Sequence, residues 1–178
     1  MTKKFKLISA LSLIVTAILS VLYAVTSYEF LLTLSITFGT VAYHLIMRLF
    51  VGFIFNCTMK NKANYTKRWY RVSEAEIKIY EKLKIKKLTR KIHSYDSSVF
   101  DKTTHTWGEI AEAMCQAELV HETIAVLSSL PIGAGAFFGA YPVFIVTSVL
   151  AASFDLMLAI VQRYNRQRII NRIKREQN

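Results

Sequence analysis

The chain has 178 residues, about one domain's worth, and 53% of them are apolar. A net charge of +11 would suit a nucleic-acid binder, but its placement removes the need for one. Lysine and arginine occur only at residues 3–6, 48–102 and 163–175, and long uncharged runs separate them.

Residues 7–26 hold twenty positions without a charge, enough to cross a hydrocarbon core of about 30 Å. The run is too long for the core of a signal peptide, and no small-residue cleavage site follows it. Residues 30–56 form a second span, interrupted by His44 and Arg48. These two lie four apart and so share a helix face. With the span ending near residue 56, they sit roughly 12–18 Å inside its inner boundary at 1.5 Å per residue. An arginine snorkels from part of that depth. A charge near a helix centre costs at least about 2.5–3.5 kcal/mol, which calls for a partner.

Residues 57–116 read as a cytoplasmic helical segment between the second and third spans. Ser73-Glu-Ala-Glu76 is a capping box, placing Ile77, Tyr80 and Leu83 on one helix face. Trp69, Tyr70 and the stretch from Lys84 to Leu88 mix aromatic, apolar and basic residues, a composition that suits a membrane interface. Residues 93–104 show no periodicity and read as loop. Thr106-Trp-Gly-Glu109 is a second capping box. From it one face runs through Trp107, Ile110, Ala111, Met114, Glu118 and His121, with Glu109, Glu112 and Gln116 pointing elsewhere. Cys57 and Cys115 are expected as reduced thiols on the cytoplasmic side, without a disulfide or a zinc site.

Residues 119–139 form the third span, ending near Pro131 and the glycines at 133, 135 and 139, which allow a kink or close packing. Residues 142–162 form the fourth, which carries only Asp155 and leads into the basic stretch QRYNRQR at 162–168. The expectation is therefore an all-α, single membrane domain over 1–178, with four transmembrane helices. The short links at 27–29 and 140–141 contain no lysine or arginine. That asymmetry puts both termini and the 57–116 segment in the cytoplasm of a multi-pass cell-membrane protein. The surplus positive charge then serves topology and attraction to anionic lipids.

His44 and Arg48, Glu118 and His121, and Asp155, Arg163, Asn165 and Arg166 come from three spans at similar expected depth. As a functional site, His121 is the candidate general base, since imidazole titrates near neutral pH, with Glu118 or Asp155 to orient it. Arg163, Asn165 and Arg166, with His44 and Arg48, are candidate substrate-binding residues, because guanidinium forks match phosphate or carboxylate oxygens. Pairing of Arg48 with Asp155 or Glu118 would satisfy the polar accounting. The alternative is an ion-pair cluster that only fixes helix packing in a non-catalytic lipid-binding protein or partner subunit. Glu118 and His121 are half of a di-iron motif whose second half is missing, so no metal and no cofactor is expected. There is neither a Gly-x-Ser-x-Gly elbow nor a P-loop.

AELVH at 117–121 and QRYNRQR at 162–168, together with Trp69-Tyr70, resemble the glycosyl-4,4'-diaponeurosporenoate acyltransferase family over roughly the C-terminal two-thirds of the chain. The resemblance implies transfer of a fatty acyl group onto a glycosylated carotenoid or related glycolipid at the inner leaflet. The partners it implies are a lipid or isoprenoid glycoside and an acyl donor. Asn165 or an arginine is then the candidate oxyanion stabiliser. One position departs from the family pattern. Gln167 stands where a proline is usual, which lets the helix continue into the tail.

Overall fold

The computed structural model describes residues 2–91 and 100–177, and every regular element among them is helical. In chain order these are α1 (Thr2–Thr26), α2 (Glu29–Met59), α3 (Glu74–Lys82), α4 (Ile85–Lys91), α5 (Trp107–Leu127), α6 (Leu130–Phe138) and α7 (Tyr141–Gln177), with a 3-10 turn at Arg68–Tyr70 before α3. The expected loop at 93–104 falls outside the described residues as far as 99. Among the described residues, four stretches are long and apolar enough to cross a membrane: Lys3–Thr26, Glu29–Met59, Trp107–Phe138 and Tyr141–Glu176. The all-α, four-span reading therefore holds, and short helices fill the interval between the second and third spans.

The chain divides into two compact units, Met1–Gly52 with Thr123–Asp155, and Phe53–Glu122 with Leu156–Asn178.

In the first unit α1 leaves most of its apolar side chains exposed, Leu7, Leu11, Ile14, Ile18 and Val21 among them, as a lipid-facing helix requires. Its contact with α2 uses small polar residues. Ser20 Oγ and Ser35 Oγ are 2.7 Å apart, and Ser35 Oγ donates to Thr16 O at 3.3 Å. Such residues let two backbones approach where lipid offers no hydrophobic drive. Of the two partners open to Arg48, Asp155 and Glu118, the fold uses Asp155: Arg48 Nε donates to Asp155 Oδ2 at 3.1 Å, and Nη2 meets the same oxygen. Asp155 and His44 are both buried.

The expected third span is two helices rather than one. Helix α5 stops at Leu127, and α6 begins at Leu130 with Pro131 in its first turn, where the missing N–H costs nothing. Tyr43 Oη donates to the Leu127 carbonyl at 2.9 Å, satisfying a group that the interruption leaves open. Helix α6 closes on Gly139, whose φ of 72° suits glycine, and its N–H reaches Gly135 O at 2.9 Å.

In the second unit both capping boxes are present. Ser73 Oγ accepts from Glu76 N while Glu76 Oε2 accepts from Ser73 N, and Thr106 and Glu109 make the same exchange. The face expected on α3 is only partly buried. Tyr80 is buried but Leu83 is exposed, because the chain reverses at Lys84 with φ at 53° and brings Ile85 inward instead. Gln116, on a different face from Glu118, is buried too: its Oε1 accepts from Asn61 N at 2.7 Å and holds the positive-φ turn at Lys60–Asn61. Helix α7 runs unbroken through Gln167, whose Nε2 donates to Asn171 Oδ1 at 3.1 Å. Farther along, the Arg172 guanidinium lies 4.7 Å from the centre of the Trp107 ring, a cation–π contact.

Gly135 gives this packing a test. A Cβ there would lie 2.6 Å from Cδ1 of Tyr141. Gly135→Ala should cost about 1–3 kcal/mol by overpacking, and much less in a Tyr141→Ala background. Thermal unfolding of the four proteins in detergent reads the coupling, and strictly additive costs would refute the contact.

Candidate functional site

Glu118 lies on α5 with its side chain 0% exposed. A carboxylate so placed must be compensated, because removal from water costs several kcal/mol. Two arginines of α7, three residues apart and hence on one face, supply the compensation. Arg163 Nη1 donates to Glu118 Oε1 at 2.6 Å, and Arg166 Nη1 pairs with Glu118 Oε2. Arg166 is itself fully buried.

The same two guanidiniums bind three successive backbone carbonyls. Arg163 Nη1 donates to Trp69 O at 3.1 Å, Arg166 Nη2 to Tyr70 O at 2.8 Å, and Arg163 Nη2 to Arg71 O at 2.9 Å. Arg166 also stacks over the buried Tyr70 ring at 4.9 Å. Arg163 Nε completes the set by donating to Glu76 Oε1 at 3.1 Å. Two guanidiniums (+2) face two carboxylates (−2), so this inner network is neutral. The stretch from Arg68 to Arg71 is thereby tied to α7.

Burial pushes the Glu76 carboxyl upward, but the Ser73 N–H and the Arg163 charge outweigh it and hold it below its ordinary 4.5. Burial likewise raises the Tyr80 hydroxyl, with Glu76 adding to the effect.

Beside the network lies an open cleft of about 340 Å³. Its lining combines polar groups, from Trp69, Glu76, Tyr80, Glu122 and Arg163, with the apolar side chains of Leu156, Ala159 and Ile160 on α7. Trp69 Nε1 donates to Glu122 Oε2 at 3.3 Å, and Tyr80 Oη donates to Glu76 Oε1 at 3.4 Å.

The expected site residues thus fall as follows. Glu118, Arg163 and Arg166 come together, with Arg163 at the cleft. His121 is half-buried one turn beyond Glu118 on α5, and Asn165 is half-buried on α7; neither is among the residues lining the cleft. His44, Arg48 and Asp155 belong to the first unit, where Arg48 and Asp155 pair. The sequence marks Trp69 and Tyr70 as interface aromatics and Glu76 as a helix cap, and gives no separate signal for Glu122, although it directly follows His121. Backbone carbonyl acceptors leave no residue signature at all. Among the described residues no group of three His, Cys, Asp or Glu side chains is placed to hold a metal ion.

A family model described as glycosyl-4,4'-diaponeurosporenoate acyltransferase matches residues 66–175, well over half of the chain. The chain belongs to that family. It is an acyltransferase of carotenoid biosynthesis, and its family acts on a glycosyl carotenoid acceptor with an acyl donor. Curated proteins and solved structures offer no match. The three pieces of sequence that carry the resemblance meet in the neutral network: Glu118 from AELVH, Arg163 and Arg166 from QRYNRQR, and the carbonyls of Trp69 and Tyr70.

Two outcomes follow. Glu118→Ala leaves two guanidiniums without their shared partner and should cost about 3–5 kcal/mol of stability, read by thermal unfolding in detergent. A loss below about 1 kcal/mol, the range of exposed pairs, would show that the network is not structural. For Glu76, a folded pKa below 4.5 means that its carboxylate stabilises the fold above that pH. The contribution is lost as the pH falls through the depressed value. The advantage of the native protein over Glu76→Gln should therefore shrink on acidification below pH 4.5 and stay constant above it.

Proposed function

We propose that the enzyme moves a fatty acyl group from an activated ester or thioester onto a sugar hydroxyl of a glycosylated carotenoid, or a related glycolipid, at the inner leaflet. The observation that carries this reading is the cleft's mixed polar and apolar lining, which suits a substrate that is itself part sugar and part hydrocarbon. The inner-leaflet assignment, with both termini cytoplasmic, rests on the confinement of lysine and arginine to residues 3–6, 48–102 and 163–175.

The chemistry is a single substitution at the acyl carbonyl carbon. The acceptor hydroxyl forms the new ester bond, the bond to the donor's leaving group breaks, and the hydroxyl proton passes to a base. His121 is the candidate base: an imidazole nitrogen can accept the proton, and it stands three residues from the fixed Glu118 on their common helix. Asn165 supplies an amide donor for the oxyanion. Arg163 and Arg166 hold the site's frame, and Arg48, Asp155 and His44 are assigned to packing of the first unit.

Lipid extracts of cells with and without the gene, compared by mass, should differ by an acyl mass in one glycolipid class. His121→Ala, in protein that still inserts and folds, should abolish the difference. An identical lipid profile sinks the acyl-transfer reading, and full activity of the variant removes His121 from it.

A further inference from the structure

The cleft holds a combination that the acyl-transfer chemistry does not use. Trp69 is 64% exposed, although its backbone is held by a side chain of α7. Its carbonyl is bound by Arg163, and the next two carbonyls by Arg166 and Arg163. An indole kept on the surface by a rigid backbone is a fixed platform rather than a loose side chain. Its N–H is turned to Glu122, whose carboxylate also lines the cleft.

Sugar rings have two recognition features. Their faces carry patches of C–H that pack on aromatic rings, and their rims carry hydroxyls that donate to carboxylates. A flat indole with a carboxylate at its edge offers both. The other polar liners are largely committed. Glu76 accepts from Ser73 N, Arg163 and Tyr80, and Arg163 binds two carboxylates and two carbonyls. The apolar strip of Leu156, Ala159 and Ile160 lines the same cleft.

We infer that Trp69 and Glu122 form the sugar subsite of the acceptor, with the indole against a face of the glycosyl ring, Glu122 accepting from its hydroxyls, and the hydrocarbon part lying on Leu156, Ala159 and Ile160. This deepens the acyl-transfer reading and rests on it for the identity of the acceptor. It also makes Trp69 and Glu122 specificity-determining residues for the glycosylated over the sugar-free lipid.

The test uses full-length protein in phospholipid nanodiscs carrying Trp107→Phe, which leaves Trp69 as the sole tryptophan. Hexyl β-glucoside, galactoside and mannoside are titrated against Trp69 emission, with hexanol as the sugarless control. At least one glycoside should give a saturable change that hexanol does not, and Glu122→Gln should weaken it about tenfold or more. In turnover, Trp69→Ala should raise KM for the glycosylated acceptor about tenfold while leaving KM for the acyl donor unchanged, and Trp69→Phe should retain most of the affinity. These substitutions spare the Trp69 carbonyl, so Arg163 keeps its partner and the fold is retained. Three results overturn the inference: no response to any glycoside, an equal response to hexanol, or a response indifferent to Glu122. Saturable glycoside binding with no acyl difference in the lipid extracts would uphold the subsite and overturn the acyl-transfer reading; the reverse pattern would do the opposite.

Discussion

The organising constraint of the second unit is one buried carboxylate. Glu118 has no contact with solvent, so its charge must be met by protein. An Arg-x-x-Arg spacing on α7 meets it twice, because residues three apart on a helix share a face. Each guanidinium has more donors than one carboxylate can accept, and the surplus goes to the carbonyls of residues 69 to 71. A chain leaving α2 must therefore come back to α7 before it starts α3. The position of Trp69, and with it one wall of the cleft, is a consequence of neutralising Glu118.

Much of this was legible in the sequence, and the part that was not has a physical cause. The four spans follow from apolar runs of membrane length that carry at most one charge each, and the capping boxes at Ser73 and Thr106 follow from local hydrogen-bond chemistry confined to four residues. A carboxylate partner for Arg48, Asp155 or Glu118, followed from the cost of leaving the charge alone in an apolar span, and the fold takes Asp155. Three things were not legible. Pro131 and the glycines after it allow a kink, but its place at residues 128–129 is a tertiary matter, since Tyr43 supports it from a distant helix. The inward turn of Ile85 depends on a positive φ at Lys84, a residue with no special preference for it. Half of the polar contacts of Arg163 and Arg166 are to backbone oxygens, which every residue possesses and no sequence pattern advertises.

The first unit applies the same polar accounting with fewer parts. Arg48 and Asp155 neutralise each other, and Arg48 also lies 6.0 Å from the Phe154 ring. A buried pair of this kind is poor evidence for net stability, because an apolar pair of similar volume often does as well. Its stronger consequence is for specificity: a helix register that separates the two leaves a bare charge in hydrocarbon. Gly39, with Thr16 at 3.3 Å from where a Cβ would stand, adds a steric version of the same constraint between α1 and α2.

The state of the arginines also bears on what the cleft can bind. Two free guanidiniums beside an apolar strip would be a receptor for a phosphate or a carboxylate. Here each is bound to carboxylate and to backbone carbonyl, and Arg166 is sealed from solvent. An anionic headgroup would have to displace Glu118 or Glu76, stranding a carboxylate that the fold has already neutralised, at a cost of several kcal/mol for the buried one. A neutral, hydroxyl-rich headgroup incurs no such cost, since it needs acceptors and a flat apolar face rather than a free cation. The lining of the cleft offers those in Glu122 and Trp69. The same charge balance that fixes the frame thus favours a glycosyl acceptor over an anionic phospholipid.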